Sequence, residues 1–89
     1  MKEQGNMTKQ GQNIYKNYLM DLCLIIKENA IKAKKESELL RQGNNKEYSL
    51  GYLMAYHEIV SLIQQQANAF GIELIEIKMK DINPEKDLL

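Results

Sequence analysis

The hydrophobic positions between Asn45 and Ile72 recur at helical spacing and predict one long amphipathic helix over about 46–70. Asn45 can cap its start, and Gly71 can take the left-handed conformation that ends a helix. Six apolar or aromatic residues follow one another three, four or seven positions apart: Tyr48, Tyr52, Tyr56, Ile59, Ile63 and Phe70. The far side carries a polar line that we expect to face solvent: His57, Ser61, Gln64 and Asn68.

A second periodic stretch precedes it and predicts a helix over about 14–42. Asn29 and Glu36 interrupt its stripe. The apolar members of the stripe are Ile14, Tyr15, Tyr18, Leu19, Leu22, Ile25, Ile26, Ala33 and Leu40. The turn around Gly43 is short, so the pattern predicts an all-α fold in which the two helices form an antiparallel hairpin.

We place the hairpin domain at 13–72, and the two ends of the chain lack its helical spacing of apolar residues. Residues 1–12 are polar and aperiodic, and we expect a mobile N-terminal arm. Residues 73–89 form a C-terminal arm in which alternation at Ile75, Ile77 and Met79 suggests a short strand. No partner strand is visible, so an extended arm and a helical turn laid on the bundle stay open.

The arm also carries a local helix signal. Asn83 can act as an N-cap with Pro84 at the first helical position. We therefore expect a short terminal helical turn whose Leu88 and Leu89 dock on the body of the protein.

The apolar faces of both helices are wider than one helix–helix contact can bury. Small single cores are marginal, which favours two hairpins pairing into a homodimeric four-helix bundle. The predicted dimer interface comprises Tyr48, Tyr52, Tyr56, Ile59, Ile63, Leu22 and Ile26. Asn29 is then either a partly exposed polar residue or a buried amide that fixes helix register.

A thinner apolar stripe lies on the other side of the first helix, formed by Met20, Leu24 and Ile31. Such residues are often scattered surface apolars, and the alternative is a face that contacts a protein partner.

Composition narrows the class of protein. The 89 residues carry 12 basic and 12 acidic side chains, so the net charge gives no general attraction to nucleic acid or to anionic membrane. The single cysteine fits a reducing compartment. No apolar run has membrane-spanning length, and the first residues lack the apolar core of a secretory signal. We therefore expect a cytoplasmic protein.

No motif in the sequence indicates a particular catalytic reaction. His57 and Ser61 are one turn apart, but no orienting acid or oxyanion donors accompany them. One histidine and Cys23, at the edge of the first stripe, are too few ligands for a metal site. We therefore expect no catalytic residues, no metal and no cofactor.

These patterns predict a small non-enzymatic interaction or regulatory protein that acts through protein–protein contacts. The alternative is a nucleic-acid-binding dimer whose basic residues gather near the hairpin loop: Lys32, Lys34, Lys35, Arg41 and Lys46. Interspersed glutamates oppose that alternative, and the tyrosines lie with aliphatic residues rather than along a basic stripe.

Overall fold

The computed structural model describes the backbone of residues 2–39 and 46–89, and the side chains from residue 13 within those ranges. Helix α1 spans Lys2–Leu39 and helix α2 spans Lys46–Ala69. A 3₁₀ turn follows at Leu74–Ile77, and a short helix, α3, spans Pro84–Asp87. The two long helices pack against each other, which confirms the all-α helical hairpin.

The boundaries of α1 differ from the prediction. The helix begins at Lys2 rather than near residue 14, so the polar arm continues the helix. The mobility expected for that arm stays a prediction. The predicted cap Asn45 and the turn around Gly43 lie outside the described residues.

The contact between α1 and α2 is a seam of mostly small residues at alternating spacings of three and four. This is the spacing of core positions in a coiled coil. The seam comprises Cys23, Ile26, Ala30, Ala33 and Ser37 on α1, and Ser49, Leu53, Tyr56, Val60, Ile63 and Ala67 on α2. Small side chains allow two helix axes to approach closely.

The two serines of the seam are buried without a polar partner on the other helix. Ser37 Oγ donates to the carbonyl oxygen of Lys34 at 2.8 Å, and Ser49 Oγ donates to that of Lys46 at 3.1 Å. These bonds satisfy the hydroxyls within their own helices. Cys23 was predicted to be semi-buried at the edge of the first apolar stripe, and the burial was wrong, because only 1% of its surface is exposed in the seam.

Helix α2 ends as predicted at Gly71, whose φ is 70°. The amide of Gly71 donates to the Asn68 carbonyl at 3.1 Å, and the amide of Ile72 donates to the Ala67 carbonyl at 2.8 Å. This pair of bonds is a Schellman motif, and it turns the chain out of the helix and back along the hairpin.

The residues after Gly71, here called the C-terminal segment (72–89), pack on the hairpin. The strand suggested at 73–82 was wrong: a 3₁₀ turn forms there, stabilised by a capping box between Glu73 and Glu76. The helical-turn alternative was therefore the correct one. The segment adds Met79 and Leu88, both with no exposed surface, to the core.

The terminal helical turn was predicted correctly. Asn83 Oδ1 accepts hydrogen bonds from the amides of Glu85 and Lys86 at 3.0 and 3.2 Å, and Pro84 follows the cap. Leu88 docks as expected, whereas Leu89 remains 53% exposed.

Candidate interaction surface

The seam divides the hairpin into two sides, and the part of the chain that the structure describes covers one of them. On the covered side, Gln64 Nε2 donates to the carbonyl oxygens of Met79 and Ile82 at 3.2 and 2.8 Å. His57 Nε2 lies 3.1 Å from Glu85 Oε1. The expectation that the polar line of α2 faces solvent was therefore wrong for His57 and Gln64, because their polar groups bind the C-terminal segment.

Helix α1 contributes two lysines to the same side. Lys27 Nζ lies 2.8 Å from Asp81 Oδ1, and Lys34 Nζ donates to the main-chain oxygen of Leu89 at 2.6 Å. The segment is thus held by apolar anchors between two lines of polar contacts, one from each helix.

The ion pair to Lys27 predicts a pH-dependent contribution to stability. The pKa of Asp81 is lowered in the folded protein, mainly because its carboxylate accepts a hydrogen bond from Lys27. The contribution is therefore complete above the ordinary aspartate range and lost as pH falls through the lowered pKa. Asp81→Asn is expected to reduce stability slightly at neutral pH, with a difference that disappears in acid, as urea unfolding at several pH values would measure.

Asp21→Asn is the matched control, because Asp21 is exposed on α1 and makes no ion pair among the described contacts. An Asp81→Asn effect that is constant from neutral to acidic pH would contradict the electrostatic explanation.

The other side of the seam has no cover within the described chain. We call it the open face, and its members are Tyr18, Leu22, Ile25, Ile26, Asn29 and Glu36 on α1, with Tyr48, Tyr52, Tyr56, Ile59, Ile63, Gln66 and Phe70 on α2. The floor of the open face is formed by three half-buried residues that pack against the core: Ile26, Tyr56 and Ile63.

The remaining members of the predicted dimer interface are exposed on this face. The exposed fraction is 74% for Tyr48, 44% for Tyr52, 42% for Ile59 and 39% for Leu22. Adjacent exposed apolar side chains of this kind make the open face a candidate binding surface.

Sequence reasoning left six members of the open face out of that interface: Tyr18, Ile25, Asn29, Glu36, Gln66 and Phe70. They extend the same spacing of three, four or seven, so the signal was present in the pattern. All of them are exposed in the structure.

Three tyrosines form a ladder along the loop end of α2. The rings of Tyr48 and Tyr52 are stacked, with centroids 6.2 Å apart, and Tyr52 meets Tyr56 edge-on at 5.2 Å. The pKa of Tyr52 is raised, chiefly by its hydrogen bond with Tyr56 and in smaller part by the charge of nearby Glu36. The ladder offers a broad aromatic surface with hydroxyls at its edge.

The predicted partner face on α1 lies along the C-terminal segment. Ile31 is four residues after Lys27 and three before Lys34, so it shares the side of α1 that binds the segment. Ile31 is 40% exposed, while Met20 and Leu24 are half-buried. A role for this stripe in partner binding stays a prediction.

Among the loop-end basic residues, Lys34 is bound to Leu89 and lies 3.9 Å from Glu38. Lys32, Lys35 and Lys46 are exposed, and Arg41 lies outside the described residues. No observation favours nucleic acid over protein as the partner, and that alternative stays a prediction.

Cys23 is buried in the seam. Burial raises the pKa of the Cys23 thiol, which disfavours the reactive thiolate. Over the part of the chain with described side chains, no three His, Cys, Asp or Glu residues gather as a metal site. Within the same limits, no helix is long and apolar enough to cross a bilayer.

Comparison with protein-family models, with curated proteins and with solved structures finds no match to this chain. The functional proposal therefore depends on the geometry of its own residues.

Proposed function

We propose that this protein is a small, non-enzymatic cytoplasmic interaction protein that pairs through its open face with a second copy, giving a homodimeric four-helix bundle. The observation that carries the proposal is the contrast between the two sides of the seam. The side with more polar residues is covered by the C-terminal segment, whereas no described residue covers the more apolar side.

The size of the open face suits such a partner. Helix α2 has 24 residues and is about 36 Å long, and the molecule is 20 Å across. The face is therefore on the order of 700 Å² for each copy, close to the roughly 800 Å² that each partner buries in a stable interface.

The charge pattern also suits burial. No charged residue occurs in 59–72, and Glu36 is the one carboxylate among the members of the open face. Glu58, the last charged residue of α2, lies about 100° from Ile59 around the helix, toward the outer surface. Charge is depleted at the centre of the face and present at its rim, as in protein interfaces generally.

In the proposed dimer, a further macromolecule would bind the outer surfaces that the bundle presents. The stripe of Met20, Leu24 and Ile31 is the candidate site, and regulator, adaptor and inhibitor are equally compatible with it.

The experiment is a mass measurement by sedimentation equilibrium. We expect twice the chain mass of 10.3 kDa, falling toward one chain mass on dilution. A mass of one chain at every concentration would overturn the dimer, and with it the proposed use of the open face.

A further inference from the structure

A cavity of about 480 Å³ opens to solvent where the C-terminal segment packs beside helix α1. It is lined by Lys27 of α1 and by four residues of the segment: Ile75, Lys78, Lys80 and Asp81. Cavities that bind small molecules measure about 300–1,000 Å³ and combine apolar walls with a few polar groups. The size and the mixed lining of this cavity therefore suit a small ligand.

The lining carries an excess of positive charge, with three lysines against one aspartate. The aspartate is already bound, because Asp81 Oδ1 lies 2.8 Å from Lys27 Nζ. Lys78 and Lys80 are exposed and make no ion pair with any described residue. The chain as a whole has no net charge. These two ammonium groups therefore form a local region of positive potential that attracts an anion.

The cavity also has an apolar wall. Ile75 lines it and is 61% exposed, whereas Ile77 and Met79, its neighbours in the segment, are buried. The methylene stems of lysine side chains add apolar surface below their charged heads. A ligand that joins an anionic group to a short apolar part would use both features of the lining.

The backbone at Lys78 is an independent sign that this side chain has a role. Its φ of 62° and ψ of 28° are left-handed, and within 2–39 and 46–89 it is the one non-glycine residue with positive φ. A side chain is strained in this conformation, and glycine is the residue that ends a helical turn there without strain. Strained non-glycine residues are concentrated at ligand sites. The backbone thus holds at the cavity a charged side chain that the turn itself does not need.

We propose that this cavity binds a small amphipathic anion, whose phosphate or carboxylate contacts Lys78 and Lys80 and whose short hydrocarbon part covers Ile75. Ammonium groups bind such anions as point charges, so charge and apolar contact determine the affinity more than hydrogen-bond geometry does. The site is formed by the C-terminal segment and Lys27, and none of its residues belongs to the open face. The inference therefore does not depend on the proposed dimer.

The test is titration of the full chain with hexyl phosphate and, separately, with inorganic phosphate, followed by NMR shifts of the backbone amides. We expect saturable shifts at 75–81. Hexyl phosphate should bind about tenfold more tightly than inorganic phosphate, which is roughly the factor that burial of two methylene groups gives. Equal affinities would overturn the role of the apolar wall, and shifts confined to other parts of the chain would overturn the site.

Two variants of the cavity separate binding from folding. Lys78→Gly and Lys80→Gln are each expected to weaken hexyl phosphate binding by about five- to tenfold, since each removes one charged contact. Lys78→Gly should leave the urea unfolding midpoint unchanged or raise it, because glycine takes the left-handed conformation without strain. Lys86→Gln is the matched control and should bind normally, since Lys86 is exposed in the same segment but is not among the residues that line the cavity.

Three outcomes would contradict the proposal. Unchanged affinity in both cavity variants would overturn the assignment of the anion to Lys78 and Lys80. A lower unfolding midpoint for Lys78→Gly would overturn the argument from the strained backbone. Cosedimentation with phosphatidylglycerol vesicles, without binding of hexyl phosphate, would assign the lysines to a membrane surface and overturn a small-molecule ligand.

Discussion

Met79→Ala is expected to lower the free energy of unfolding by about 2–5 kcal/mol, the range for truncating a fully buried large side chain. Met79 has no exposed surface, and its carbonyl oxygen accepts a hydrogen bond from Gln64. The total free energy of unfolding of a chain of this size is only about 5–10 kcal/mol. The variant should therefore lose much of its helical signal at moderate urea concentration, which circular dichroism would measure.

Ile75→Ala provides the matched control. Ile75 lies in the same segment, four residues earlier, but is 61% exposed. Its replacement should change stability by no more than about 0.5 kcal/mol. Equal losses in both variants would mean that the C-terminal segment does not stabilise the hairpin through Met79.

The importance of Met79 shows what the sequence could and could not predict. The existence of helices α1 and α2, the Gly71 stop and the Asn83 cap follow from local spacing and local hydrogen bonds, and these were predicted correctly, whereas the start of α1 was not. The choice of buried face is a tertiary outcome. The seam uses Cys23, Ala30 and Ala33, whose small side chains add little to a hydrophobic pattern but let the helices approach.

The small seam leaves large apolar residues such as Tyr48, Tyr52 and Ile59 outside the contact between the two helices. Closely spaced helices leave a groove on each side, and Met79 and Leu88 fill one groove from the C-terminal segment. Gln64 looked like a solvent-facing residue because its partners are backbone carbonyls eighteen or fewer positions away in a segment without periodicity. No sequence pattern within α2 predicts a hydrogen bond to such a segment. The small residues of the seam recur at alternating spacings of three and four positions, and this spacing was the one sequence signal for the contact between the helices.

The second groove is the open face, where the proposed dimer forms. Ile59→Glu is expected to convert that dimer to a monomer. Ile59 lies near the centre of the open face and is 42% exposed in the single chain, so a glutamate there can remain hydrated in the monomer. In the dimer, both copies would bury an unpaired carboxylate, and each costs several kcal/mol. Because 1.4 kcal/mol corresponds to a factor of ten, the dissociation constant should rise by at least about 100-fold.

Sedimentation velocity and circular dichroism on the same samples separate loss of pairing from loss of folding. Gln65→Glu is the matched control: it adds the same charge to the same helix at an exposed position about 120° from Ile59, outside the open face. We expect a helical monomer for Ile59→Glu and an unchanged dimer for Gln65→Glu. If Ile59→Glu kept the dimer mass, the copies would be joined through another surface, and the open face would have to be assigned to a different partner.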